Sequence, residues 1–217
     1  MILPRPRTFE TSCRGFCNEV ELVRKLDFIN QTRAQRPGLS AAMAAEARLE
    51  LHLASEGLFM RLFRHWERFL ENSFLLAATS QPSASGRRAH SYIRPRSKSH
   101  AYEITMGSRD VISWSKPAAV LERINLLLRD GYPMSEHVEA VRSDLTSMER
   151  IRNRIAHESD ESQIQYLKVV RCHFMVLPTR FVSPGRLLNL MARGTHVHYL
   201  EHYCQVLEAT ATLIRDG

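Results

Sequence analysis

Along most of the chain, apolar residues return every three or four positions, the interval that puts them on one side of an α-helix. The first such stretch runs from about residue 18 to 35, with Val20, Val23, Leu26, Phe28 and Ile29 facing inward and Pro37-Gly38 as its stop. Ser40 is an N-cap for the longest stretch, residues 41 to 79, which holds no proline and a single glycine, Gly57, where a kink is expected. Leu49, Leu53, Leu58, Leu62, Phe63, Trp66, Phe69, Leu70, Phe74 and Leu75 mark its core side. A third helix begins at Trp114-Ser115-Lys116-Pro117 with Ser115 as cap, and carries Val120, Leu121, Ile124, Leu127 and Leu128 toward Gly131. Ser135 caps the next, which runs to about His157. Residues 164 to 176 are ambiguous: the spacing of Tyr166, Leu167, Val169 and Val170 suits a helix, whereas the run from Val169 to Leu177 has the composition of a strand. A helix is the expectation there. Arg186 to Met191 adds a turn of helix, and Tyr199 to Ile214 closes the chain. The pattern predicts an all-α domain over residues 1 to 217, a bundle of four to five helices. Residues 1 to 18, with Pro4, Pro6 and Gly15, read as an irregular arm.

The periodicity fails between residues 80 and 113. Its first part, Ser80 to His100, contains Arg87, Arg88, Arg94, Arg96 and Lys98, two prolines and no acidic residue. These five charges leave only +2 of the net charge of +7 for the rest of the chain. The stretch is expected to be a long basic loop between helices, either a solvated surface or an RNA-binding segment in which Tyr92 stacks on a base while the cations meet phosphates.

Composition bounds the remaining choices. At 217 residues, 44% apolar and 24% charged, the chain is long enough for one domain with a core and has the balance of a globular protein. Its apolar runs fall far short of the roughly 20 residues that span a bilayer, and the first residues lack the apolar core of a signal peptide, so a cytoplasmic location without membrane attachment is expected. Cys13, Cys17, Cys172 and Cys204 are too scattered to staple the chain and match no metal spacing. His196, His198 and His202 include a helical i, i+4 pair, which surface or core packing accounts for more readily than zinc. Glycine-rich phosphate loops and Ser-His-Asp arrangements are absent from the sequence.

One position breaks the pattern inside a helix. With Val141 at zero on a wheel of about 100° per residue, Val138, Val141, Leu145, Met148, Ile151 and Ile155 form one stripe, and Arg152 falls at about 20°, within it. A guanidinium there requires a partner, either Glu67 of the long helix or a phosphate from outside. His157 lies about 140° away from Arg152 on the same wheel. The two side chains therefore converge only if the helix ends between them or a second chain completes the site. Alone, such a histidine is as readily a helix cap.

Arg152-Asn153-Arg154-Ile155-Ala156-His157 resembles the R-x-x-x-x-H signature of the HEPN superfamily, in which a polar residue commonly follows the arginine. The Trp66-Glu67 and Phe69-Leu70 pattern on the earlier long helix is similar too, and within the superfamily the chain looks most like the small stand-alone bacterial type associated with toxin-antitoxin and phage-defence systems. The resemblance implies a HEPN-like bundle and an endoribonuclease that needs no metal or other cofactor. It further implies a homodimer in which Arg152 and His157 of both protomers meet at the interface, with RNA as substrate and an antitoxin protein as a further partner. In that reading His157 is the general acid or base, Arg152 holds the scissile phosphate, Asn153 orients one of them, and Glu67 supports Arg152. Arg154 and, in the basic loop, Arg87, Arg88, Tyr92, Arg94, Arg96 and Lys98 contact RNA. The alternative is a HEPN protein without activity that binds RNA or docks a partner.

Overall fold

In the computed structural model residues 7–107 and 112–217 are described, and among them the chain forms nine α-helices and no strand. These are α1 (Phe9–Ala34), α2 (Ala41–Ala78), α3 (Lys98–Met106), α4 (Pro117–Leu127), α5 (Ser135–Ala140), α6 (Arg142–Ala156), α7 (Asp160–Phe174), α8 (Pro184–Leu188) and α9 (Tyr199–Asp216). A 3-10 turn at Arg129–Gly131 follows α4. No helix among the described residues is long and apolar enough to cross a membrane. The expected four to five helices are supplemented by the short α3, α5 and α8, of nine, six and five residues, the last close to the turn of helix expected at Arg186 to Met191.

The contacts divide the chain into two compact units, with boundaries inside α1, α2, α6 and α9. The first unit takes residues 1–18, 65–146 and 206–217. Its core includes Phe16, whose ring centroid lies 5.7 Å from that of Trp66 and 5.5 Å from that of Phe69. Phe74 meets Trp114 at 5.3 Å, and the Arg123 guanidinium lies 4.7 Å over the same indole. Val120, Ile124, Leu127 and Leu128 of α4 and its end, and Leu207, Ala211 and Ile214 of α9, are also buried. The second unit takes residues 19–64 and 147–205 and buries Val20, Val23, Phe59, Leu62, Met148, Ile151, Tyr166, Val170, Leu187 and Tyr203. Phe59 and Tyr203 pack at 5.9 Å, and the Tyr166 hydroxyl donates to the Val182 carbonyl at 3.0 Å.

Several boundaries depart from the sequence expectation. The irregular arm is helical from Phe9: Thr8 acts as the cap, its hydroxyl accepting from the Thr11 amide at 3.1 Å. Phe9, Cys13, Phe16, Val20 and Val23 then form a buried stripe that runs past Gly15. The prolines at positions 4 and 6 lie outside the described residues. Of the residues expected inward on α1, Val20 and Val23 are buried, but Leu26, Ile29 and above all Phe28 are exposed. On α2, Leu49 and Leu53 are exposed as well, while the stripe from Leu58 to Leu75 is buried. The helix continues through Gly57 as a single 38-residue element.

Ser115 does not cap α4. Its hydroxyl lies 2.7 Å from that of Ser113, and Lys116 holds the cap position ahead of Pro117. Nor is Ser135 the cap of one continuous helix: it is the first residue of α5, and Val141, at φ −108° and ψ 16°, separates α5 from α6. Residues 164 to 174 are helical, within α7, which ends at Met175 in the left-handed region (φ 65°). The loop expected from residue 80 to 113 contains α3, capped by the Ser97 hydroxyl accepting from the His100 amide.

Candidate functional site

The Arg152–His157 signature lies in the second unit at the C-terminal end of α6, where Leu145, Met148 and Ile151 supply the buried stripe and Ile155 is half-buried. Arg152 is half-buried one residue beyond Ile151, and its Nη1 donates to Asn153 Oδ1 at 3.0 Å. Asn153 thus meets the guanidinium with its side chain, and with its main-chain oxygen it accepts the His157 amide at 2.9 Å. Its side chain is thus engaged with Arg152, while its link to His157 is the helical main-chain bond.

The helix ends at Ala156, so His157 sits just past the last turn, its amide still bonded to the Asn153 carbonyl. Its main chain is held from both directions. Ser162 donates its hydroxyl to the His157 carbonyl and to the Ser159 carbonyl, each at 2.7 Å, and the Ser159 hydroxyl accepts the Ser162 amide at the start of α7. Ser162 is buried, whereas the His157 side chain is exposed. An imidazole in water on a main chain fixed at both ends is free to meet a ligand without reordering the corner that carries it. Arg154, two residues after Arg152 on α6, places its guanidinium 5.9 Å over the ring of Phe181, an exposed residue.

Glu67 belongs to the other unit, where it is half-buried on α2. The recorded side-chain partner of Arg152 is its neighbour Asn153, one position along the helix. Sequence reasoning singles out Arg152, Asn153 and His157 but overlooks Ser162 and Phe181; the serine three residues after a helix-capping Ser159 was the available signal for the first.

The basic segment lies in the first unit and is tied down along much of its length. Arg87 lies 4.4 Å over the Tyr132 ring, and Arg88 Nη1 donates to the Ser80 carbonyl at 2.7 Å. Main-chain bonds join Ala84 to Arg215, Tyr92 to Leu127 and Arg129 to His90, at 2.8–2.9 Å. Ala89 is buried beneath. Tyr92, Arg94 and Arg96 are exposed, and the Arg96 amide donates to His100 Nδ1, while Lys98 opens α3. Arg87, Arg88 and His90 share a cavity of about 570 Å³ with Arg129, Tyr132 and His137, facing Asp130 and Glu136. The segment is therefore a strap, tied at Ala84, Arg88, His90 and Tyr92, that displays cations, an order that composition alone leaves open.

Among the described residues no three His, Cys, Asp or Glu side chains gather as a metal site. His198 pairs with Asp27 at 3.2 Å, and His202 packs its ring against Tyr199 and Tyr203. Cys13 and Cys17 lie with sulfurs 3.8 Å apart on α1, where the contact with the Cys17 thiol and then burial push the Cys13 pKa up and hold it neutral. Compared with models of protein families, with curated proteins and with solved structures, the chain matches none.

Proposed function

We propose that the chain is an endoribonuclease of the HEPN type that cleaves RNA without a metal ion, through a site composed of Arg152 and His157 from two protomers. The observation that carries the reading is the corner after α6. A half-buried guanidinium is aligned by Asn153, and the exposed imidazole follows on a main chain pinned by Ser162. Those are the two groups that phosphodiester transfer needs. The imidazole removes the proton of a ribose 2′-hydroxyl, the oxygen attacks the adjacent phosphorus, and the bond to the 5′-oxygen breaks as that oxygen takes up a proton. Arg152 offsets the charge that gathers on the phosphoryl oxygens. Imidazole suits the task because it changes charge between about pH 5 and 8.

Exposed apolar residues in the second unit, Met175, Val176, Leu177 and Phe181, supply surface for a second protomer. The cationic strap of the first unit supplies the attraction for RNA. A role in a toxin-antitoxin or phage-defence system belongs to the same proposal, with an antitoxin as the natural restraint on such an activity.

The test is cleavage of single-stranded RNA by the pure protein in EDTA. Wild type is expected to cut, and His157→Ala and Arg152→Ala are each expected to lose activity while keeping the helical circular dichroism of the parent. Mixing the two inactive variants then examines the composite site. A mixed dimer retains an intact Arg152 on one chain and an intact His157 on the other, so partial recovery of cleavage is expected. RNA left intact by the wild-type protein would refute the nuclease. RNA binding that survives His157→Ala with no cleavage by any variant would instead favour an inactive RNA-binding protein.

A further inference from the structure

A second cationic recess lies in the second unit, away from the signature in sequence and built from α2 and α8. Its volume is about 470 Å³, and Arg48, His52, Arg186 and Asn189 line it together with Leu49 and Leu190. Arg48 and His52 are four residues apart on α2 and so share a face. Arg186 is brought to them by an unusually close approach of main chains. A Cβ on Gly185 would lie 2.2 Å from the His52 carbonyl oxygen, so only glycine allows α8 to rest on this turn of α2.

The polar groups around the recess are already committed. Glu56 accepts the Gly185 amide at 2.7 Å, and Asn189 donates to the Ser55 hydroxyl and the Gly185 carbonyl while accepting from Gln31. Among the described residues, by contrast, the guanidinium groups of Arg48 and Arg186 and the imidazole of His52 carry no hydrogen bond or ion pair. Burial first, and then the nearby guanidinium groups of Arg186 and Arg48, lower the pKa of His52.

We propose that this recess binds the phosphate group of a nucleotide, held by Arg48 and Arg186 with the imidazole of His52 as a third donor. Planar guanidinium forks match phosphate oxygens, and two of them with an imidazole satisfy a dianion. The volume is larger than a bare phosphate needs, and Leu49 and Leu190 offer apolar wall to a sugar or base. The phosphate belongs either to a free nucleotide or to an RNA strand. The proposal does not depend on the nuclease reading, because none of its residues is part of the signature.

Histidine-labelled protein, with the His52 resonance assigned through His52→Gln, is titrated at low salt with AMP and with a short single-stranded RNA. Binding is expected to move the His52 signal saturably and to raise its titration midpoint, since an anion offsets the two arginines. The double variant Arg48→Ala/Arg186→Ala is expected to bind at least about tenfold more weakly, and its unliganded His52 midpoint to rise toward the ordinary imidazole value. Both arginines are exposed, and circular dichroism checks the fold; Arg186→Gln alone replaces the double variant should that one not fold. AMP binding no weaker than RNA binding identifies a free nucleotide, whereas RNA binding at least tenfold tighter identifies the strand. A His52 signal unmoved by both ligands, or affinity unchanged in the arginine variant, overturns the proposal. Cleavage by the same variant, measured in parallel, separates this site from the signature at His157.

Discussion

At the scale of single residues, Asn153 is the informative side chain of the signature. Its carboxamide oxygen holds the Arg152 guanidinium at 3.0 Å and its main-chain oxygen holds the His157 amide at 2.9 Å. Asn153→Ala keeps the main-chain bond and loses the side-chain one, leaving Arg152 with its charge but without its alignment. Misplacement of a catalytic group by about 1 Å costs roughly a hundredfold in rate. Cleavage by Asn153→Ala is therefore expected to fall by about that factor through kcat, with RNA affinity little changed; a variant as fast as wild type would deny Asn153 a positioning role. Arg152 itself was legible from the sequence because charge inside an apolar stripe is a conflict that any wheel exposes. The bond from Arg152 to Asn153 was not, since a polar residue beside an arginine does not reveal which of its atoms is used.

At the scale of elements, the α6–α7 corner rests on Ser162. Its buried hydroxyl lies 2.7 Å from the carbonyls of His157 and Ser159; the second also accepts the Gln163 amide, whereas the first, just past the end of α6, would otherwise go unsatisfied. Ser162→Ala is expected to cost about 1–3 kcal/mol in urea unfolding, and to lower cleavage further because the His157 main chain loses an anchor. An unfolding midpoint equal to wild type would show the corner to be held elsewhere. The helices themselves were largely readable: α2, α4, α7 and α9 carry long stripes of period 3.6. The breaks were harder to see. Val141 interrupts the pattern at φ −108° and ψ 16° with an ordinary apolar residue, and neither glycine nor proline stands there to signal it. At the start of α1 the opposite error arises, because Gly15 and the upstream prolines suggest an arm while Thr8 and the Phe9, Cys13, Phe16 stripe specify a helix.

At the scale of the whole molecule, the charge is distributed unevenly along the sequence, and the strap that carries most of it has a fixed main chain. Sequence composition identifies the cations but not their order, because the bonds that pin the strap run to Leu127, Arg129 and Arg215, far away in sequence. Exposed Leu26, Phe28, Ile29, Leu49 and Leu53 were misplaced for a related reason: periodicity gives a helix an apolar side without saying how far along its length a neighbour covers it. Arg94 and Arg96 are exposed just beyond the pinned Tyr92, whereas Arg87 and Arg88 already have partners in Tyr132 and Ser80. Replacing all four by Gln removes four charges from a net +7. If each cation meets one phosphate of a single strand, the slope of log affinity against log salt becomes shallower by about 0.7 for each one removed, or about 3 in all. Fluorescence anisotropy of a labelled RNA over a series of salt concentrations measures that slope. A change of about 1.4 would assign the contacts to the two unpartnered arginines alone, and an unchanged slope would place the RNA elsewhere on the molecule.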